Sequence, residues 1–487
     1  MTSRVVEDSC FMLIKHLCSY YLLFITGCFI ICQLEVRAEE STIEDYLERG
    51  KRYMDMELYD QAINEFHQIL QINLNHSETY YCMGDVYRHT NMTDKAMDAY
   101  QHVLTLHAPK QIHGLAYLRL GILYNEQGKF SDAEKYGKIA VEILPEMPKA
   151  YTNLGDIYLQ RRNFVLAISC YQKAIGLAPS AVEPYTGLGR IYLKQNQLDL
   201  AIKYCKDAIQ RDSFTSGNYY NLAQAYRRSR KLEEAKSQIE LFSRVKAYED
   251  QVYRYREALQ LSPNNQHLYL KLAELYEGAG DTNAAIHAYQ ASITLNPEFQ
   301  TGHQRLGTIY MKQDKLDLAK SHLLKAIQID PTSSNLYKDL GEVSIIQRDF
   351  DNAIMAYQKL VEFHPNSTQE WLRLGVIYIN AEQFDNAFDA FQRAVDLDEN
   401  SARAHNHLAR LCAGLGIKLN YAIELAEQAT ILDPTAQHFD TLAYTYYKSK
   451  FYPKAEDAIR KALKIDPDNQ NYKDQLVEIQ RAIDAAR

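Results

Sequence analysis

Few residues in this 487-residue chain stand at spacings that do chemistry. His405 and His407 come nearest to a metal pair. Two residues apart on a helix is about 200° of rotation, so both rings cannot easily face one ion, and a core or groove histidine is the expected role. Gly187 and Gly189 have the first spacing of a dinucleotide loop but no strand before them, so close packing explains them better. The sequence contains no Gly-x-Ser-x-Gly, no His-Glu-x-x-His and no Walker loop. The reading is a chain with no catalytic residues, no metal site and no cofactor. Of eight cysteines, Cys10, Cys18, Cys28 and Cys32 sit at the extreme N-terminus, while Cys82, Cys170, Cys205 and Cys412 are scattered without a Cys-x-x-Cys pair. That pattern is neither a disulfide framework nor a zinc signature, and buried free thiols are expected.

Composition narrows the class further. Lys and Arg number 54 against 62 Asp and Glu, a formal net charge of −8 that repels polyphosphate on average. No nucleic-acid partner is expected, and the basic run Arg227-Arg228-Ser229-Arg230-Lys231 reads as a turn and groove edge. With 46% hydrophobic residues but only 20 Gly and 12 Pro, the chain has little material for the turns of a large all-β protein. A mostly helical fold follows.

Residues 17–34 carry no charge, follow Lys15 and His16, and precede Glu35, Arg37, Glu39 and Glu40. This reads as a signal peptide over residues 1–38, cleaved between Ala38 and Glu39. Two alternatives use the same residues: lipidation at Cys28, within Ile25-Thr26-Gly27-Cys28, or an uncleaved anchor. All three export the rest of the chain, so the expected location is periplasmic or extracellular after cleavage, or membrane-anchored through the N-terminal segment.

The strongest signal is a repeat of 34 residues. Gly155, Tyr158, Ala167, Tyr171, Ala174 and Pro179 form one register, which Gly189 begins again. The small residue recurs at Gly50, Gly84, Gly121, Gly155, Gly189, Ala223, Ala273, Gly307, Gly341, Gly375, Ala409 and Ala443, and an alanine keeps step from Ala62 to Ala455. Two helices joined by a short turn approach closely only where side chains are small, so Gly155 and Ala167 mark a helix crossing. Tyr158 and Tyr171 fill the space beside it, Ala174 admits the next unit, and Pro179 stops the second helix.

This pattern closely resembles the tetratricopeptide-repeat family from about Ile43 to Asn469, and Trp371-Leu372-Arg373-Leu374-Gly375-Val376-Ile377-Tyr378 is similar to the family's opening motif. The resemblance implies an all-α, right-handed superhelical solenoid of twelve helix-turn-helix repeats. Between Ala223 and Ala273 the spacing is 50 residues rather than 34, and residues 231–261 contain neither Pro nor Gly, which predicts one long helix. The expected organisation is an N-terminal array of repeats 1–6 over 39–250, a spacer continuing the long helix over 251–265, a C-terminal array of repeats 7–12 over 266–469, and a capping helix over 470–487.

Partners in this family usually lie along the concave face lined by the first helix of each repeat. Read onto that face, the centre of the chain offers Arg190, Lys194, Tyr220, Arg227, Arg228, Lys271, Arg305 and Lys312. The resemblance implies a non-enzymatic scaffold that binds a protein or peptide, and these residues point to an acidic one. The alternatives are a membrane-tethered regulatory subunit of an envelope enzyme, secretion or polymer-export complex, and an intracellular chaperone adaptor. The family's groove asparagine ladder is interrupted: Asn153 and Asn221 hold its place, but Glu48, Arg119, Gly187, Lys271, Asp339 and Thr441 break it.

Overall fold

The structure is a computed structural model that describes residues 42–486. The signal segment, the Ala38–Glu39 bond and Cys28 lie outside the described residues. The described residues contain 25 helices and no strand, an all-α repeat solenoid. No helix among them is long and apolar enough to cross a membrane.

Two compact units divide the chain, one ending at Asn296 and the other beginning at Pro297. The first unit holds α1 (residues 42–55), α2 (Tyr59–Ile72), α3 (Ser77–His89), α4 (Thr93–Thr105), α5 (Lys110–Glu126), α6 (Phe130–Ile143), α7 (Pro148–Gln160), α8 (Phe164–Leu177), α9 (Glu183–Lys194), α10 (Leu198–Arg211), α11 (Ser216–Arg228), α12 (Leu232–Leu261), α13 (Gln266–Ala279) and α14 (Thr282–Leu295). These are repeats 1 to 7. The second unit runs from α15 (Gln300–Lys312) and α16 (Leu316–Ile329) through α17 (Ser334–Ile346), α18 (Phe350–Phe363), α19 (Thr368–Asn380), α20 (Phe384–Leu397), α21 (Ala402–Leu415), α22 (Leu419–Leu432), α23 (Ala436–Lys448) and α24 (Tyr452–Ile465) to α25 (Gln470–Ala486), which follows repeat 12. The stretch without Pro or Gly is the single 30-residue helix α12. Repeat 7 groups with the six repeats before it, and α12, α13 and α14 reach back to repeat 1.

Half of the repeats share one steric fact. A Cβ placed on Gly155 would lie 2.7 Å from Cε1 of Tyr171, the residue sixteen places later on the second helix. The same pairing recurs as Gly50 with Phe66, Gly84 with Tyr100, Gly307 with Leu323, Gly341 with Tyr357 and Gly375 with Phe391. Tyr171 is pressed from the other side by Gly187 of the following repeat, where a Cβ would lie 2.3 Å from its Cζ. The spacing of Gly187 and Gly189 is therefore a packing feature. Ala167 and Ala174 are fully buried in the same crossing, and Tyr158 is nearly so.

The turns are equally regular. Seven residues after the small residue, every repeat has a positive φ: Glu57, Asn91, Arg162, Asn196, Arg230, Asp314, Arg348, Glu382 and Lys450, with glycine at Gly128, Gly280 and Gly416. One residue further on, the backbone N–H returns to the carbonyl of the repeat tyrosine, as Asn163 does to Tyr158 at 2.9 Å, which is a Schellman closure. At the other end, an aromatic ring fixes the approach of the next repeat. Trp371 Nε1 donates to the Pro365 carbonyl at 3.1 Å, and the Tyr185 hydroxyl donates to Pro179 O at 3.0 Å. The proline stops the helix, and its carbonyl anchors the next ring.

Two substitutions test this account. Gly155→Leu overpacks the crossing against Tyr171 and should cost about 1–3 kcal/mol. Arg348→Gly, at an exposed left-handed turn position, should add roughly 0.5 kcal/mol, because relieved strain exceeds the added chain entropy. Urea midpoints that stay unchanged in both variants would contradict it.

Candidate functional site

The first helices of successive repeats stack beside one another, and their shared face carries the polar chemistry. In repeat 2, Asp85 of α3 is already satisfied. It accepts from the Tyr100 hydroxyl at 2.5 Å and from Arg119 Nη2 of α5 at 2.9 Å, with Arg119 Nε 2.7 Å away on its other oxygen. That stretch of the face is closed by its own charges.

One repeat further along, the face opens. A hollow of about 540 Å³ is lined by Asn125 and Glu126 of α5, by Lys149, Thr152, Asn153, Asp156 and Gln160 of α7, and by Glu183 and Arg190 of α9, with apolar contact from Ile122, Pro148 and Leu159. Residues 149, 152, 153, 156 and 160 recur at three- and four-residue steps, so one stripe of α7 forms the floor. Asp156 occupies the place of Asp85 and accepts from the Tyr171 hydroxyl at 2.6 Å. Burial raises its pKa, against the opposing pull of Tyr171 and the charge of Arg190. Arg190 has no ion-pair partner among the described residues. Asn153 is 6% exposed, and its Nδ2 has no hydrogen-bond partner among the described residues; the buried Oδ1 of Asn125 has none there either. Leaving a buried donor or acceptor unpaired costs about 1–3 kcal/mol each; such atoms occur elsewhere too, at Asn218 and Ser344, but these two line one hollow.

Of the sequence-derived groove residues, Arg190 lines this hollow and Lys194 is exposed one turn along α9. The others are placed differently. Tyr220 rests on Phe242 of α12, ring centroids 5.5 Å apart. Arg227 donates to Gln224, and Arg228 Nη1 donates to the Leu193 carbonyl at 2.9 Å, which satisfies the end of α9. Lys271 pairs with Glu274 on its own helix. Arg305 and Lys312 are exposed on α15, in the second unit. The basic run at Arg227 spans the α11–α12 turn. Reading charge alone missed Asn125 and Asp156 and gave Asn153 only as part of a broken ladder. The available signal was an aspartate one place after the small residue with a tyrosine fifteen later, as in Asp85 with Tyr100 and Asp156 with Tyr171.

Elsewhere the candidate groups serve packing. His405 Nδ1 lies 3.0 Å from Ser401 O, and His407 stacks on Phe391. Among the described residues no group of three His, Cys, Asp or Glu could hold a metal ion. Cys82, Cys205 and Cys412 are buried and Cys170 is half-buried, all free; burial pushes the Cys82 thiol up to about 12.

Family models described as tetratricopeptide repeat match residues 148–180, 182–215, 216–244, 266–299, 301–333 and 339–402. The chain is a tetratricopeptide-repeat protein. Such a fold serves as a protein–protein interaction scaffold. Solved structures similar to this repeat chain include YrrB, titled a TPR protein with an unusual peptide-binding site, at 23% identity over 40% of this chain and 100% of that one, TM-score 0.35. MamA matches at 22% identity over 35% of this chain and 92% of its own, TM-score 0.31. The Cut9–Hcn1 hetero-tetramer structure of the APC/C matches at 17% identity over 90% of this chain and 96% of that one, TM-score 0.30. No curated protein matches the sequence.

One titrating pair bears on stability. His303 of α15 and His322 of α16 place their Nδ1 atoms 3.0 Å apart. His303 Nε2 faces the Pro297 carbonyl at 3.2 Å, so it carries the proton and His322 Nδ1–H donates to His303. Tyr310 stacks on His322, while Lys325 and Glu298 act on His303 from either sign. Burial lowers both pKa values, that of His322 to about 4. The unfolded chain therefore binds more protons between about pH 6.5 and that value, and stability should fall as pH drops through this window. Urea midpoints measured against pH should show the decline, and His322→Gln should flatten it.

Proposed function

We propose that this chain is an exported, non-enzymatic scaffold that holds an extended peptide in the hollow formed by α5, α7 and α9. The observation that carries the reading is the pair of unpartnered amides. Asn153 of the α7 floor and Asn125 of the α5 wall each keep one such atom shielded from water, and a peptide that turns these side chains into the hollow gains a donor and an acceptor. A peptide backbone presents the complementary carbonyl and N–H at every residue, so it can satisfy both without reference to sequence. Selectivity then comes from the charged rim. Arg190 and Lys149 accept an acidic side chain, while Asp156, Glu126 and Glu183 reject a run of them. The preferred partner has isolated acidic residues within an otherwise neutral segment.

Peptides selected from a displayed library on the full-length protein, with affinity read by fluorescence anisotropy, test this. Asn153→Leu should weaken binding about tenfold or more while leaving the urea midpoint unchanged or higher, because it removes an unpaired buried amide. Arg190→Glu should shift preference toward basic peptides. Unchanged affinity in Asn153→Leu would overturn the site.

Export rests on residues 17–34 and the small residues before Glu39. Intact mass and the N-terminal peptide of natively expressed protein, after separating soluble and membrane fractions, should give a soluble chain beginning at Glu39. A membrane-bound chain beginning at a lipidated Cys28, or retaining the apolar segment, would make it a tethered organiser, and an intact soluble cytosolic chain would refute export.

A further inference from the structure

The α1–α2 turn of repeat 1 is unlike its counterparts. Leu58 stands eight residues after the small residue, where Met92, Ile417 and Phe451 are 45%, 41% and 48% exposed in their own repeats; Leu58 is 1% exposed. Met56, two places earlier, is 6% exposed, whereas Leu415 at the equivalent place is 39% exposed. Something covers this turn, and the bonds around it show what. Glu57 takes Arg256 of α12 at 2.5 Å through its carboxylate, and its backbone carbonyl accepts from the Tyr269 hydroxyl of α13 at 3.0 Å. Gln61 Nε2 donates to Asn264 Oδ1 in the α12–α13 turn at 3.0 Å, and Thr294 of α14 lies 3.6 Å from the Met56 sulfur. Residues some two hundred apart in sequence are joined by four contacts.

The joined surfaces are opposite edges of the solenoid. Residues 56–58 belong to the turn inside a repeat, whereas residues 262–265 belong to the turn between repeats, and in a stack of helix pairs these turns lie on opposite sides. We propose that repeat 1 acts as a clasp: after one superhelical turn its edge rests on the edge of repeats 6 and 7, closing the first unit around its own groove. A partner of repeats 3–5 must then thread from an open end or wait for the clasp to part. The clasp is suited to parting, since Arg256 is half-exposed, and an exposed ion pair is weakened by salt. A cleft of about 320 Å³ lined by Tyr59, His89, Met92, Arg256, Leu259 and Tyr269 runs along the seam, so the two edges meet without fusing.

The gating part rests on the groove reading above; the clasp itself does not. Full-length protein carrying Gln61→Cys and Asn264→Cys, treated with a short bismaleimide, should form an intramolecular link between these two positions, identified by peptide mass. High salt or Arg256→Glu should lower the yield several-fold, and adding Glu57→Arg to Arg256→Glu should restore it. Absence of the link in a chain whose circular dichroism is unchanged would overturn the clasp, with no ligand required. With the link in place, a selected peptide should associate more slowly than with the unlinked chain and reach the same affinity. Equal association rates would overturn the gating while leaving both clasp and groove standing.

Discussion

The small residue at the first-helix crossing is the constraint on which the molecule depends. With glycine at position 155, the Tyr171 ring can lie flat against the backbone of α7, and with glycine at 187 it can also meet the backbone of α9. One side chain thereby fixes the approach of two helices within a repeat and of the next repeat upon them. Repeated along the chain by Phe66, Tyr100, Tyr357 and Phe391, this contact stacks the first helices side by side. A shared face exists only because that stacking holds. Local steric fit is converted into a long surface by repetition rather than by a central core.

The same tyrosine couples packing to the site. Its ring fills the crossing, and its hydroxyl emerges on the far side to donate to Asp156. A phenylalanine, as at Phe66 or Phe391, would fill the crossing without controlling the carboxylate. Tyr100 with Asp85 repeats the device, but there Arg119 occupies the remaining oxygen and the face is neutralised internally. Between these two repeats the difference lies in one cation: Arg119 faces Asp85 from the following repeat, whereas the same register place opposite Asp156 is Gly187. A glycine there packs on the Tyr171 ring and brings no charge to the carboxylate.

Fold and site were legible in the sequence to different degrees for a physical reason. Close approach requires small residues, so the 34-residue period is written in residue types, from Gly50 to Ala443. The left-handed turn residue is not, because φ near +60° is imposed by the two helices it joins, and glutamate, asparagine, arginine, aspartate and lysine all accept it. Long cations were misleading in the groove. Arg228 reads as a free groove charge by register, yet its reach lets it satisfy the last turn of α9, and Lys271 folds back onto Glu274. Short residues such as Asn153 and Asp156 cannot escape their register, and they define the hollow. The contact between Glu57 and Arg256 had no sequence signature beyond an unusually apolar turn, since it depends on the accumulated rotation of seven repeats.

Selection for stability alone would not leave the α5–α7 wall as it is. Single unpartnered buried atoms occur elsewhere in the repeats, at Asn218 Nδ2, Ser344 Oγ and Asn406 Oδ1 among others, but Asn125 and Asn153 line one hollow together. Asn153 leaves its amide nitrogen unused, although leucine or alanine at that place would remove the penalty. Gly121, where an added Cβ would come 3.0 Å from that same nitrogen, lets the amide pack against the backbone of α5. A repeat array can tolerate such a local cost because neighbouring interfaces carry the stability, and the loss does not spread beyond the adjoining repeats. The array thus separates two tasks that compete in a single-core domain. Glycine and tyrosine hold the helices together, and the stripe of α7 facing away from that crossing is free to carry polar residues that packing does not require.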